Sequence, residues 1–498
     1  MSADWPILTL GDVCEKITDG AHNSPKSVEF GKSMASVKDL TRFGVDLSEA
    51  RFISEEEFEK LVKQGCQPEV GDVLIAKDGN SALDTVCTVD EPLNAVMLSS
   101  VAILRPDKNK LDSDFLKYYF CSKQVIDYLK GNFISGAAIP RVVLKDFRKA
   151  EIKVPQLETQ REISKKLRAL DDKIELNHQT NQTLEQIAQA IFKSWFVDFE
   201  PTRAKTIAKQ KGGNTLAQSL AEQAVICGAI TLEQLQALEV DDRGLEGQLH
   251  PLITNKSPNQ IAGLDDWTPD TLQTTADLFP NALVESELGE VPEGWSVSGL
   301  GSCIDILNGF AFKSGDYVEE GTFVLRTKNF NNNVVGRLSD DVFLPDEFLT
   351  THEKYLCKPF DYHLIMVGAS VGNRGLIYPH HLPALRNQNM WCFRKKDKSY
   401  LSQTYVKFML DSIVERSMGL ASGSAREFFR KGDFGRQAIC IGNEAIQAIF
   451  SDTVFSLMEK QAQLSDEVQI LENTRDVLLP KLLSGELATT AIPEGNHV

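Results

Sequence analysis

"REISKKLRALDDKIELNHQTNQTLEQIAQAIFKSW" spans Arg161–Trp195. Alternating steps of four and three from Ile163 land on Leu167, Leu170, Ile174, Asn177, Asn181, Leu184, Ala188, Ile191 and Trp195. This repeat marks the seam of a long helix that lies against another helix. Asn177 and Asn181 fall inside the seam, where an amide costs stability but penalises slipped pairings. The partner is in the same chain. In "FSDTVFSLMEKQAQLSDEVQILENTRDVLLPKLL", Phe450, Val454, Leu457, Gln461, Leu464, Val468, Leu471, Arg475, Leu478 and Leu482 take the same steps, each 287 residues beyond a first-helix seam position.

The correspondence continues upstream. "FISGAAIPRVVLKDFRKAEIKV" (133–154) parallels "LASGSAREFFRKGDFGRQAICI" (420–441) at the same offset, aligning Asp146-Phe147 with Asp433-Phe434. Earlier still the offset is 290: Trp5 matches Trp295, Leu10-Gly11 matches Leu300-Gly301, Lys38 matches Lys328, and Leu74-Ile75 matches Leu364-Ile365. The chain is therefore a tandem repeat. Each unit is a mixed domain followed by a helix of about 40 residues, roughly 60 Å long at about 1.5 Å per residue. Within the domains, "GDVLIA" and "SVAILR" predict strands, and "LDSDFLKYYFCSKQVIDYLK" and "LSQTYVKFMLDSIVERSM" predict matching helices. The expected class is α+β, with domains at 1–157 and 291–442 and helices at 158–199 and 443–485. A polar, acidic linker (200–290) would hold one short helix at "ITLEQLQALEV", and residues 486–498 would form a tail. A pseudo-twofold relation between the units would make the two helices antiparallel, with Gln461 near the asparagine pair as its hydrogen-bond partner.

The net charge of −17 is unevenly spread. Residues 200–290 carry 6 basic and 14 acidic side chains and residues 443–498 carry 3 and 9, whereas residues 291–442 carry 18 and 16. Local patches rather than the total therefore decide partners, and nucleic acid stays open. No apolar run reaches membrane-spanning length and no secretory pattern is visible. The nine cysteines are scattered without a CxxC pair, as expected of reduced thiols in a cytoplasm rather than a zinc site.

Several enzyme-like motifs dissolve on inspection. Gly31-Lys32-Ser33 lacks the glycine five residues earlier that a phosphate loop needs. Glu151-Ile152-Lys153 has the shape of a nuclease site, but the second repeat has Ala438 and Cys440 there, and the alternation suits a strand. His380-His381 has no third ligand at zinc spacing. No Asn-Pro-Pro-aromatic motif of an adenine methyltransferase is present.

The order of domain, helix, acidic linker, domain and helix resembles the DNA specificity subunit of type I restriction–modification enzymes. The resemblance covers nearly the whole chain. It is carried by "SGAAIPRVVLKDFRKAEIKVPQLETQREI", the helix running into "IFKSWFVDFEP", "SELGEVPEGW" and "RDVLLPKLLSGEL". One departure is that "IGNEAIQAIF" stands where the first copy has "VPQLETQREI". The resemblance implies two target-recognition domains, each reading half of a split, asymmetric double-stranded DNA site. It also implies a non-catalytic chain whose helices dock two methyltransferase subunits and the restriction/translocase subunits. S-adenosylmethionine, ATP and Mg would sit on those partners, with no cofactor or metal in this chain. The different-class alternative is an adaptor whose coiled coil tethers two protein-binding domains without DNA.

Base edges are read by Arg, Lys, Asn and Gln, and phosphates are held by Lys and Arg. The candidates are Lys77 and Asn80 in "AKDGNS", and Asn373 and Arg374 in the parallel "GASVGNRG". "LRNQNMWCFRKKDK" adds Arg386, Asn387, Gln388 and Asn389. Lys38 and Lys328 occupy equivalent places. Arg141 and Lys145, with Arg148 and Lys149, cluster in the first domain; Arg426 and Arg430, with Lys431 and Arg436, cluster in the second. Trp195, Phe196 and Phe199 form either a partner-docking patch or helix-end core.

Overall fold

A computed structural model describes residues 5–79, 81–135, 140–255, 268–368, 370–420 and 431–487. The chain forms two compact units, 1–177 with 467–498, and 178–466. Each unit takes one mixed domain and part of both long helices.

The long helices are Leu157–Phe196 and Glu444–Leu483. Pro155 ends the preceding strand segment, and Gln160, in the first turn, ties the first helix to the chain around it by donating to the Pro155 and Lys110 carbonyls (2.8 and 2.9 Å). Gln447 makes the equivalent bond in the second, donating to the Gly442 carbonyl (2.7 Å), and Asn443 caps that helix: its Oδ1 accepts the Ile446 amide at 2.9 Å. A polar start thus survives where the proline and charges of the first copy are missing. Gly485 (φ 69°) ends the second long helix with a left-handed residue, and Phe199 (φ 54°) takes the same conformation where the chain enters the helix Glu200–Gln210.

Every seam position of both helices is buried or half-buried. In the first unit, Asp171 meets Arg475 (3.0 Å), Lys173 meets Glu467 (3.5 Å) and the Asn177 amide donates to Glu467 (2.9 Å). In the second, Gln461 donates to the Asn181 carbonyl (3.1 Å), and Phe192, Trp195 and Phe196 pack on Phe450. Partner numbers fall as first-helix numbers rise, so the pair is antiparallel. Gln461 does lie at the asparagine pair, but it bonds the backbone of Asn181. Glu467, off the seam, is the partner of Asn177.

The two domains share one topology. In the first, Cys14–Asp19, Val101–Pro106, Val73–Ala76 and Val86–Thr88 form a four-stranded antiparallel sheet in that order. A second sheet orders Arg51–Ile53, Lys32–Ala35 and Ala95–Met97. In the second domain Ile304–Asn308, Met390–Lys395, Tyr362–Ile365 and Arg374–Leu376 repeat the first sheet, and Phe343–Leu344, Thr322–Leu325 and Ala384–Arg386 repeat the second. Each domain is closed by a terminal strand pair: Ile7–Thr9 with Glu151–Lys153, and Ser296–Gly299 with Ala438–Ile441. Glu151 and Lys153 are thus strand residues facing one side. The helical stretch of the first domain is broken at Ser122 into Ser113–Cys121 and Lys123–Phe133, whereas Gln403–Leu420 runs through.

The central strands align at an offset of 289, not the 290 of the sequence match. Asp19 pairs with Ala102 as Asn308 pairs with Trp391, and Leu74 pairs with Ile103 as His363 pairs with Cys392. The cause is a bulge. Cys14 and Lys16 oppose successive residues Pro106 and Arg105, which leaves Glu15 unpaired; the second domain has no irregularity there. A bidentate ion pair recurs at this register, Asp72 with Arg105 and Asp361 with Arg394.

Residues 200–290 depart from the expected linker. They carry helices Glu200–Gln210, Thr215–Ile226, Leu232–Ala237, Gly244–Thr254 and Pro269–Ala276. Ala204, Ala208, Ala217, Ala221 and Ala224 pack with Leu220, Leu235, Leu245 and Leu249. Small alanine faces let helices approach closely, so a core forms in an acidic segment without long apolar runs. Lys205 and Glu222 pair inside it at 2.9 Å. Among the described residues, no helix is long and apolar enough to cross a membrane.

Candidate nucleic-acid interface

In each domain three loops meet at one end of the four-stranded sheet. In the first they are 19–24, 77–79 with 81–83, and 98–100. The Ala21 amide donates to the Met97 carbonyl (2.8 Å), the Lys77 amide to the Ser100 carbonyl (2.8 Å), and the Gly79 amide to the Pro140 carbonyl (2.9 Å). In the second they are 308–312, 366–368 with 370–373, and 386–390. Phe310 donates to Arg386 (3.2 Å), Gln388 to Phe310 (2.9 Å) and Met366 to Asn389 (3.1 Å), all backbone to backbone. Gly20 and Gly309 permit the approach: a Cβ would lie 2.1 Å from the Met97 carbonyl oxygen and 1.8 Å from that of Asn387.

The scaffold is shared, but the side chains it presents are not. The first domain exposes His22, Asn23, Ser81 and Arg141, with Lys145 and Lys149 on the adjoining segment. Arg141 is tethered to Asp78 (3.1 Å) and His22 to Asp19 (3.2 Å). The second domain exposes Asn308, Gln388 and Asn389, with Asn373 and Asn387 half-buried beside them. Asn389 adopts φ 74°, a conformation that Asn tolerates well among non-glycine residues, and this lifts the Gln388–Asn389 turn off the sheet. His22, Asn23 and Asn308 were not among the expected residues. Their signal is a polar side chain beside a glycine at the end of the first strand of each sheet: Gly20 with His22 and Asn23, and Asn308 with Gly309.

Three expected residues are corrected. Lys77 is buried and pairs with Asp19 at 2.7 Å, so it is an internal counter-ion rather than a loop cation. Arg374 begins a strand and its guanidinium is held by Asp411 and Glu415, both at 2.6 Å. Arg386 is 1% exposed and donates to the carbonyls of Asn308, Leu356 and Lys354 (3.0, 3.0 and 2.5 Å). Each of these is consumed by the fold because a buried cation must be paired. Lys328 is tied to the Asp340 carbonyl (3.1 Å) and carboxylate but stays exposed. Lys38 makes the equivalent carbonyl contact, to Glu49 (3.1 Å), yet keeps 64% of its side chain exposed. Asn80, Arg426 and Arg430 lie outside the described residues. Lys431 is exposed, and Arg436 pairs with Asp433.

The docking patch is corrected too. Trp195, Phe196 and Phe199 are buried, edge-on to Phe279 (5.4 Å), Tyr405 (4.9 Å) and Trp295 (5.6 Å) respectively. They are the helix-end core of the second unit.

Residues 2–186 match the family model of the type I restriction modification DNA specificity domain. The chain is 28% identical to the type I restriction enzyme HindI specificity subunit of Haemophilus influenzae, covering 97% of this chain and all of that relative. It is 23% identical to the MjaIX specificity subunit of Methanocaldococcus jannaschii, over 97% and 94% of the two chains. The type I restriction–modification S subunit from M. genitalium shares the fold, with a TM-score of 0.50, 15% identity and 96% of each chain covered.

Proposed function

The chain belongs to the specificity subunits of type I restriction–modification enzymes, which are non-catalytic, and from that premise we propose how it divides its work. Each domain reads one half of a bipartite, asymmetric double-stranded DNA site through the three-loop end of its sheet. The observation that supports this is one scaffold, closed by equivalent glycines, presenting unlike side chains: His22, Asn23 and Arg141 in one copy, Gln388 and Asn389 in the other. Similar frames with different donors and acceptors suit different base edges.

The long helices join the two readers and carry the partner subunits. Two methyltransferase subunits and the restriction/translocase subunits dock there, bringing S-adenosylmethionine, ATP and Mg with them. Since the aromatic helix end is core, the docking role passes to apolar side chains left exposed on the second helix. Ile470 and Val477, seven residues apart on one face, are each 57% exposed.

The test is to exchange residues 1–157 for those of a relative, reconstitute the complex, and map the methylated bases. One half of the site should change while the other stays. Simultaneous change of both halves would refute independent reading.

A further inference from the structure

The second domain buries a polar cluster that the first domain lacks. His363 and Cys392 are direct cross-strand partners on neighbouring strands of the four-stranded sheet. Adjacent strands bring such pairs within about 4.5–5.5 Å at Cβ, with both side chains on one face. One ligand atom each of Asp361, His363 and Cys392 lies within 4.8 Å of the others. Cys357, on the segment entering the strand, places Sγ 3.7 Å from His363 Nε2. All four residues are buried.

The imidazole is already oriented. Its Nδ1 lies 3.2 Å from the Asp361 carbonyl oxygen, an acceptor that fixes the proton on Nδ1. The Nε2 lone pair is thereby left facing Cys357. A backbone carbonyl holding the distal ring nitrogen is the usual support of a metal-bound histidine.

The first domain supplies the control. At the shared register, Asp361 and Arg394 correspond to Asp72 and Arg105, and the same ion pair is present in both. His363 and Cys392 correspond to Leu74 and Ile103, and Cys357 to Pro68. The acid–arginine pair is therefore scaffold, whereas the Cys, His, Cys set is an addition in one copy. Putting an imidazole where the same sheet elsewhere holds leucine costs transfer free energy unless the nitrogen is used.

We propose that Cys357, His363 and Cys392, completed by the Asp361 carboxylate, form a structural zinc site in the second domain. Two thiolates and one imidazole are a soft nitrogen–sulfur set, which selects zinc over the oxygen-seeking cations. Zn–S distances of about 2.3 Å and Zn–N of about 2.0–2.1 Å put tetrahedral S and N ligands about 3.5 Å apart, close to the 3.7 Å observed. Charge balances without help from solvent. Two thiolates offset the dication, and Asp361 and Arg394 offset each other. With every donor buried and no open position, the site would pin the 353–361 segment to the sheet rather than perform chemistry. The wide spacing of these residues, without a CxxC, is why the sequence alone points away from zinc.

The test uses the full chain, purified from zinc-supplemented medium and dialysed against a weak chelator. Elemental analysis should find about one zinc per chain. Replacement by Co(II) should produce a near-ultraviolet thiolate-to-cobalt charge-transfer band. Cys357→Ser, Cys392→Ser and His363→Gln should each lower retained zinc at least about tenfold, while Cys227→Ser, remote in the helical segment, should retain it. If a ligand variant misfolds, the wild-type cobalt spectrum decides. A wild-type chain with less than about a tenth of an equivalent of zinc and no charge-transfer band would overturn the proposal. So would zinc that survives both cysteine substitutions.

Discussion

Asp171→Asn should loosen the first domain from its helices. The Asp171 carboxylate is 3% exposed and takes Arg475 (3.0 Å), Arg42 (3.3 Å) and Lys117 (3.4 Å), which come from the second long helix, the loop after Leu40–Thr41, and the helix Ser113–Cys121. Burial by itself would raise this carboxyl, but the three cations outweigh burial and hold it below the usual carboxylate range. Losing one partner of a buried pair costs about 3–5 kcal/mol, because the survivors stay desolvated. The low end applies here: Arg475 keeps Asp476 (2.9 Å) and Arg42 is partly solvated. About 3 kcal/mol is roughly a 150-fold increase in local opening, at about 1.4 kcal/mol per factor of ten. Hydrogen exchange read by mass spectrometry on peptides covering 113–121 and 467–483 should register it. Asp172→Asn, one residue away on an exposed side chain, is the control. The depressed carboxyl contributes stability above its unfolded value of about 3.8, and that contribution fades as pH falls through its lower folded value. The gap between wild type and variant should therefore narrow below about pH 4. Exchange in both peptides unchanged at neutral pH would refute the network's role.

Three further outcomes are expected. Gln388→Ala should relax discrimination at one position of one half-site by about 1–3 kcal/mol in binding titrations on single-base variants, while Arg374→Ala should lower thermal stability without changing the recognised sequence; the reverse pattern would show that the ion pair with Asp411 opens on DNA. Lys38→Ala should weaken binding to cognate and random DNA alike and reduce the salt slope by about one, measured across a salt series in the assembled complex. Burial pushes the Glu222 carboxyl up to about 9 despite Lys205, so the folded state retains a proton that the unfolded chain releases, and this side chain's contribution declines as pH rises from about 4.5 to 9; Glu222→Gln should flatten the pH dependence of exchange in the helix Thr215–Ile226, and an unaltered profile would show that Glu222 is ionised in the fold.

The duplication and the antiparallel coil were legible because a 4-3 seam is a local, repeated signal that survives substitution at single positions. The strand register was not. Val73–Ala76 and Tyr362–Ile365 are buried at every position, so neither alternates, and a one-residue slip leaves no mark on hydropathy. The Leu-Ile match at 74–75 and 364–365 was therefore satisfied one residue away from the true pairing, on the far side of the bulge at Glu15. The helices of 200–276 escaped for a related reason. Their core is built from alanines, which contribute little to an apolar run but pack closely once helices meet.

Site residues posed a different problem, since residue type does not distinguish a cation that faces solvent from one the fold has consumed. Arg374 and Arg386 belong to loops rich in Gly and Asn, where base readers are expected, yet their partners lie 30 or more residues away, on Asp411, Glu415 and the Leu356 carbonyl. Asp411 and Glu415, one turn apart on the predicted helix, were the available warning. The repeat offers a sharper criterion. A polar residue that recurs in both copies with its partner, as Arg105 with Asp72 and Arg394 with Asp361, holds the scaffold and cannot distinguish two half-sites. A residue present in one copy and free of internal partners can. Lys38 and Lys328 recur with equivalent carbonyl contacts, so they belong with contacts common to any sequence, such as phosphates. Asn23 and Gln388 differ between the copies and are exposed at the loop ends, which makes them the first positions at which specificity should be altered.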